Sequence, residues 1–358
     1  MNVTFMMQNK KKSKMGTTAN IRQDILMAEA LRQPLPPYKL GEPPWSEEEL
    51  KKSYFRNWSY TREVIKNHPG YKAHESIENL NILWEIFKNS VEDLELSIDV
   101  FRKESKSSVF WTRPIRKRVD KLELAVRRGV FSSATAAIAL VNCSKSINNV
   151  NPIDDYKRKI NDEINNSEEH LIVEHLRDHI THVRMSEVGY RISWSHTAKN
   201  KCRFMIKQKD IKSWTKRNDS KSWKEYTKSL SEDIDVEAIF MSYKCKLDEL
   251  VQWLKAQIET ASIPHLMEYR KYDRMLNRFG ARAEWNVILT ETLKKNVDPY
   301  DYLERYFNKQ ELEEVMMLPK RSPKQIDKII EILDEFDACD DDLRQKIYTL
   351  FKCNNNTN

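Results

Sequence analysis

Apolar residues recur at steps of three and four along most of the chain, which is the spacing of one face of an α-helix. The clearest stripe runs from Ser76 to Lys103, and a second covers Ile234 to Ile258. From Tyr190 to Ile206 apolar and polar residues alternate instead, which is typical of a β-hairpin. The pattern predicts a mainly α fold, a helical bundle with a small β-hairpin insertion. Further helices are predicted over 116–128, 132–146, 154–165, 167–184 and 263–295.

Turn and capping residues set the predicted boundaries. Ser46 followed by Glu49 forms a capping box that begins a helix, and the sequence His68-Pro69-Gly70 ends it. Gly129 and Gly280 are predicted to interrupt helices, because glycine is a poor helix former. Ser322 and Pro323 begin a helix near the end of the chain.

These boundaries divide the chain into three predicted parts. Residues 1–45 are a flexible basic arm followed by a Pro-rich linker, and residues 354–358 are a disordered tail. Residues 46–262 form the helical bundle, with the hairpin at about 189–207. Residues 263–358 form a C-terminal helical segment.

The composition excludes several classes of protein. Six glycines, with no two close together, leave no room for the phosphate loops of Rossmann or Walker-type proteins. Five cysteines without a C-x-x-C pair argue against zinc fingers and suit a reducing compartment. No stretch approaches the roughly 18 uninterrupted apolar residues of a membrane helix, and no signal peptide is visible. A cytoplasmic protein without a membrane partner is expected. The net charge of +7 is compatible with a polyanionic partner.

Histidines are concentrated in one short region. Five of the eight lie between His170 and His196. On the predicted helix His175, His179 and His182 share a face, because they are four and three residues apart. The same segment reads RDHITH, in which Arg177 and His182 are separated by four residues. The best candidate for an active site is therefore the end of this helix.

This R-x4-H motif resembles that of the HEPN superfamily of helical-bundle proteins, many of which are metal-independent ribonucleases of toxin and antiphage-defence systems. The context is similar as well, since a helix rich in small residues and a helix with Tyr and Lys precede the motif and a hairpin follows it. The resemblance covers about residues 75–260. Members often have asparagine after the arginine, whereas this chain has Asp178.

The resemblance implies a metal-independent endoribonuclease with catalytic residues Arg177, His182 and Asp178. His182 would act as base and acid on the ribose hydroxyl and the leaving oxygen, and Arg177 would stabilise charge on the phosphate. In the family the cleft lies between two copies of the motif. The implied partners are therefore RNA, a second copy of the chain and a neighbouring regulatory or defence protein, with no cofactor.

Three other interpretations remain open for the same residues. A non-catalytic HEPN-like module would bind a protein or RNA of the same kind of system. His175 and His179 could chelate a transition metal from one helix face, with His182, Glu174 or Asp178 as a further ligand. Finally, the histidines could be ordinary structural or surface residues.

Basic and aromatic residues after the hairpin are the candidates for RNA binding, because cations contact phosphates and aromatic rings stack on bases. A shorter basic run contains Arg113, Arg116, Lys117 and Arg118. An equally weighted alternative is a solvated loop whose tryptophans pack on the bundle. The predicted RNA-binding residues are Arg203, Lys207, Lys212, Trp214, Lys216, Arg217 and Trp223.

Overall fold

The computed structural model of the chain describes residues 38–182, 188–193, 201–214, 220–295 and 297–353. Contacts group them into two compact units. The bundle unit is Gly70–Leu266, and the terminal unit joins the described residues of Met1–Pro69 and Met267–Asn358. The sequence places residues 46–69 with the bundle, whereas their contacts place them in the terminal unit. The predicted basic arm at 1–19 and the tail at 354–358 lie outside the described residues.

The chain is mainly helical, and its strands form one small antiparallel sheet, so the predicted fold class is confirmed. The elements are α1 Glu47–Arg56, α2 Trp58–Ile65, α3 Tyr71–Glu104, α4 Arg116–Val150, α5 Tyr156–Lys159, α6 Glu168–His182, β1 Val188–Ser193, β2 Lys201–Ile206, α7 Gln208–Ser213, α8 Lys221–Ser229, β3 Ile234–Asp235, α9 Val236–Lys295, α10 Lys309–Met316, α11 Pro323–Leu333 and α12 Asp341–Leu350. Short 3-10 helices cover Ser108–Trp111, Arg113–Ile115 and Pro299–Arg305, and a π-helix covers Ile160–Asn165.

Helices α3 and α4 pack as an antiparallel pair at the centre of the bundle unit. The contact is very close at Gly129, where a Cβ would lie 3.0 Å from the Cα of Leu94. Near the other end of the pair, the Asn151 amide donates to Ser76 Oγ at 3.1 Å. Glycine at 129 lets the two backbones approach, so the predicted break there is wrong and one helix runs through it. The buried apolar residues of α3 keep the spacing of a coiled-coil seam: Ala73, Ile77, Leu80, Phe87, Val91, Leu94, Ile98 and Phe101.

The first part of α9 lies antiparallel to α3 in the same unit. Arg102 donates to Glu237 at 2.5 Å, and Lys244 pairs with Glu92 at 3.2 Å. At the start of α3, a Cβ on Gly70 would lie 2.5 Å from the carbonyl carbon of His265. α3 is therefore held between α4 and α9.

Helix α9 is longer than the sequence predicts. It runs without interruption from Val236 to Lys295, through both Pro264 and Gly280. The predicted break at Gly280 is therefore wrong, and the predicted boundary between 262 and 263 falls inside a helix. A single glycine costs a helix only about 1 kcal/mol, so Gly280 does not by itself end α9.

The sheet covers one end of α3. β1 pairs with β2 so that Tyr190 lies opposite Phe204, and β2 pairs with the two-residue strand β3. The rings of Tyr190 and Phe204 lie 5.0 and 4.9 Å from that of Phe101 on α3. The predicted hairpin is confirmed, and its apolar face is part of the bundle core.

The terminal unit has its own core. The predicted capping box of Ser46 and Glu49 is present, and α1 ends at Arg56; the next residue, Asn57, caps α2 with its side chain. The Trp45 backbone N–H donates to the hydroxyl of Tyr272 at 2.9 Å. The predicted helix start at Ser322 is confirmed as well. A separate apolar cluster joins the end of α9 to the last helices through Leu289, Leu303, Phe307, Val315, Ile326, Ile329, Ile330, Leu343, Ile347 and Phe351.

One described helical stretch, Arg113–Val150, is long and apolar enough to cross a membrane by length and composition alone. Of its most apolar window, 56% is buried inside the fold. Burial of this kind is typical of the core helix of a soluble protein, and α4 occupies that position in the bundle unit.

Candidate functional site

Helix α6 carries the candidate motif and changes its environment along its length. The hydroxyl of Ser167 accepts from the backbone N–H of His170, so this residue caps the helix as the sequence predicts. Residues 169–173, 175 and 176 are buried, which places the first three turns inside the core. Residues 177–180 are half-buried and Thr181 is exposed. The helix therefore leaves the core at Arg177, where the R-x4-H motif begins.

Arg177 and Asp178 form an ion pair within the motif. Nη1 of Arg177 lies 2.8 Å from Oδ1 of Asp178, and the two side chains are 28% and 23% exposed. A guanidinium in this position is accessible to an anion, but it already has a carboxylate beside it. The pair keeps the local charge near zero.

His182 is the last residue of α6, and its side chain lies outside the described part of the chain, as does His196. Arg177 and His182 are five residues apart on the helix. Ideal helix geometry separates them by about 7.5 Å along the axis and about 140° around it. On an ideal helix positions 177 and 182 therefore lie on different faces, while positions 178 and 182 share a face at a spacing of four residues.

His170 belongs to the core. It is 4% exposed, and its Nδ1 forms a hydrogen bond of 2.6 Å with the hydroxyl of Tyr243. The pKa of His170 falls to about 4, mainly because of burial; Glu174 opposes this shift, and Lys145 and His175 contribute to it. The ring is neutral at physiological pH and holds α6 against α9.

His175 and His179 lie against buried tryptophans. The His175 ring is stacked on Trp223 at 3.6 Å with 8° between the planes, and its Nδ1–H donates to the Leu171 carbonyl. The His179 ring is stacked on Trp214 at 5.4 Å. The four-residue spacing that suggested chelation thus places both rings against α7 and α8. Among the residues that the structure describes, no group of three His, Cys, Asp or Glu side chains is arranged to hold a metal ion.

The predicted RNA-binding tryptophans occupy a different environment from the one expected. Trp214 is 4% and Trp223 is 1% exposed, and Nε1 of Trp223 donates to the Trp214 carbonyl at 3.2 Å. Buried rings stacked on histidines offer no face to a base, so the stacking role assigned to both is corrected. Both tryptophans pack on the bundle, as the alternative interpretation predicts. The sequence left both interpretations open because the histidine partners lie far away along the chain.

The predicted cations are more accessible. Arg203, Lys207 and Lys212 are exposed, whereas Lys216 and Arg217 lie outside the described residues. Arg203 stands directly opposite Arg191 on the outer face of the sheet. Asp235 lies 3.7 Å from Arg203, and Asp233 lies 2.6 Å from Arg191. These carboxylates, which sequence reasoning did not single out, relieve the repulsion between facing arginines.

A polar cavity of about 240 Å³ opens elsewhere in the bundle unit. It lies beside the π-helix, and none of the predicted site residues lines it. Lys159 lies over the ring of Trp253 at 5.6 Å and pairs with Glu163 at 2.6 Å. The lining residues are Asp154, Asp155, Arg158, Lys159, Asp162, Glu163, Trp253 and Gln257.

Comparison of the chain with protein-family models, with curated proteins and with solved structures found no match.

Proposed function

We propose that the chain is a metal-independent endoribonuclease of a toxin or antiphage-defence system, acting at the end of α6. The observation that carries the proposal is the position of the R-x4-H motif. The first turns of α6 are buried, and the motif begins where the helix leaves the core. A catalytic pair needs a rigid support and access to substrate, and this position provides both.

The roles follow from the chemistry of RNA cleavage. A metal-free reaction needs a base for the 2′-hydroxyl, an acid for the leaving oxygen and a cation for the charge on the phosphate. Imidazole as a residue type accepts and releases protons near neutral pH, so His182 is assigned the first two roles. Arg177, whose guanidinium is partly exposed, supplies the cation. Asp178 adjusts the charge of Arg177 through their ion pair.

The proposal includes a second copy of the chain. Because a spacing of five residues puts Arg177 and His182 on different faces of an ideal helix, a cleft shared by two motifs would bring the arginine of one copy near the histidine of the other. The enzyme would act in the cytoplasm without a cofactor. A neighbouring regulatory or defence protein would restrain or trigger it.

One observation favours a second candidate, a non-catalytic interaction or RNA-binding module. The Arg177 guanidinium lies 2.8 Å from the Asp178 carboxylate, so a phosphate has to compete with this carboxylate. A module that binds a protein partner would not need a free guanidinium. The two candidates differ in whether RNA is cut.

The first experiment measures cleavage of a labelled single-stranded RNA in EDTA. The wild type, Arg177→Ala and His182→Ala are compared, with folding checked by circular dichroism. Removing a general acid–base group or a transition-state cation typically lowers the rate by about 10²–10⁴-fold. We expect cleavage by the wild type and a loss of this size in both variants.

Arg128→Ala is the matched control, because Arg128 is an exposed arginine on α4 outside the motif. It should cleave at the wild-type rate. Absence of cleavage by the wild type, or equal cleavage by all four proteins, would refute a nuclease at this helix and favour the interaction module.

A further inference from the structure

The connection between α3 and α4 forms a strongly basic end of the bundle unit. Residues 102–121 contain eight cations and only two acids, Glu104 and Asp120. This excess is far above that of the whole chain. The cations are Arg102, Lys103, Lys106, Arg113, Arg116, Lys117, Arg118 and Lys121.

Arg113 and Lys117 are among the cations that remain available to a ligand near the start of α4. Arg118 pairs with Glu104, and Arg116 lies 3.0 Å from Asp120. Arg113 and Lys117 are exposed, and neither has an ion-pair partner within the described residues. Each can therefore donate to a phosphate oxygen without first releasing a carboxylate.

Two aromatic rings lie at the surface of this end, and Trp111 precedes Arg113 by two residues. Trp111 and Tyr190 are half-buried, with ring centroids 5.5 Å apart. Trp111 packs edge-on against the buried ring of Phe110 at 4.9 Å, and its Nε1 donates to the Ser105 carbonyl at 3.1 Å. The rings are held in place from below, which lowers the entropy cost of stacking a base on them.

The chain connection limits how far the sheet can lie from the R-x4-H motif. Val188 begins the strand that carries Tyr190, and it follows His182 by six residues. Six residues span at most about 22 Å. A strand of a few nucleotides covers that distance.

We propose that Trp111, Tyr190, Arg113 and Lys117 form a binding surface for single-stranded RNA, which holds the substrate that the motif on α6 would cut. The inference rests on the proposed function for its purpose, although binding can be measured without cleavage. Cations bind the phosphates, and the rings take an unpaired base. Only unpaired bases present a free face to a ring, so the surface favours single strands over duplexes.

The test is binding of a fluorescent 20-nucleotide RNA by anisotropy at several salt concentrations. His182→Ala serves as the background, so that the RNA stays intact. Each phosphate contact with a single strand contributes about 0.7 to the slope of log affinity against log salt. Adding Arg113→Ala and Lys117→Ala should lower this slope by about 1.4 and the affinity at about 0.1 M salt by roughly five-fold or more. The His182→Ala protein should also bind the single strand more tightly than its duplex.

Lys157→Ala with Arg158→Ala is the matched control, because it removes the same charge from exposed residues. Its neighbour Lys159 lies over Trp253, which is 16 residues from Glu237 on α9. This corresponds to about 24 Å along the helix from the basic end. The control should leave slope and affinity unchanged.

The proposed binding surface would be refuted if the Arg113→Ala, Lys117→Ala protein and the Lys157→Ala, Arg158→Ala protein had equal RNA affinity and salt slope. Duplex RNA that binds as tightly as the single strand, or more tightly, would refute it as well. Vesicles with 30% phosphatidylserine are a further arm, since exposed Val109 could also insert into lipid. Binding to vesicles without binding to RNA would overturn the proposal in favour of a membrane surface. If the wild type does not cut RNA but the double variant loses binding, the nuclease fails and the surface stands. If the wild type cuts RNA but the double variant binds RNA as tightly as the control, the nuclease stands and the binding surface is refuted.

Discussion

Asp178 determines how available Arg177 is to a phosphate. Its carboxylate forms an ion pair with the guanidinium and adds negative charge where the substrate would bind. We expect Asp178→Asn to raise the rate of RNA cleavage at low salt by about two- to five-fold, since a partly exposed ion pair contributes up to about 1 kcal/mol. The initial rate in EDTA measures this. The gain should shrink as salt screens the pair.

Asp162→Asn is the control for this substitution, because it makes the same charge change at an exposed residue near the polar cavity. A lower rate in Asp178→Asn would contradict competition. It would instead assign Asp178 a role in orienting His182, its neighbour one turn later on α6.

Burial makes His170 a structural residue and not a catalytic one. Its pKa is held near 4 mainly because the core disfavours the charged ring. A ring that stays neutral and bonded to Tyr243 connects two helices and has no access to solvent. Counting histidines along the sequence could not separate this structural residue from His182.

At the level of helices, the contact between α3 and α9 depends on one glycine. We expect Gly70→Ala to destabilise the bundle unit by about 1–3 kcal/mol, because its Cβ would overlap the His265 carbonyl. Thermal unfolding followed by circular dichroism should show a midpoint several degrees lower. Gly41→Ala is the matched control, since nothing lies within 4 Å of a Cβ there. Equal midpoints would mean that the two helices can separate at no cost.

The sequence predicts elements whose signal is local. The capping box at Ser46, the start at Ser322 and the alternation in β1 and β2 are each set by a few adjacent residues. The errors at Gly129 and Gly280 have a common cause. Packing of distant residues, such as Leu94 on Gly129, decided the outcome against local propensity.

The candidate site was predictable only in part for the same reason. The motif itself is visible in the sequence, and so is its place on a helix. The stacking of His175 and His179 on tryptophans, and the proximity of Trp111 to Tyr190, depend on contacts between distant elements. No periodicity in the chain reports such contacts.

At the scale of the whole molecule, the proposed cleft requires two copies of the chain. We expect a mass in solution of twice that of one chain, measured by light scattering during size-exclusion chromatography. RNA cleavage should fall when dilution dissociates the pair. A monomer that cleaves RNA at all concentrations would contradict the shared cleft, while the roles of Arg177 and His182 would still be tested by their variants.

The terminal unit is built from both ends of the described chain, and this imposes an order on synthesis. Trp45 and its partner Tyr272 are 227 residues apart. At about 5–20 residues per second, a ribosome needs roughly 10–45 s between the two. During that interval the ribosome synthesises all of Gly70–Leu266. Trp45 and Leu50 stay exposed to solvent until the second part of α9 has been made. The nascent chain therefore passes through a stage in which these apolar residues are open to chaperones, and it leaves that stage only when the second part of α9 has been made.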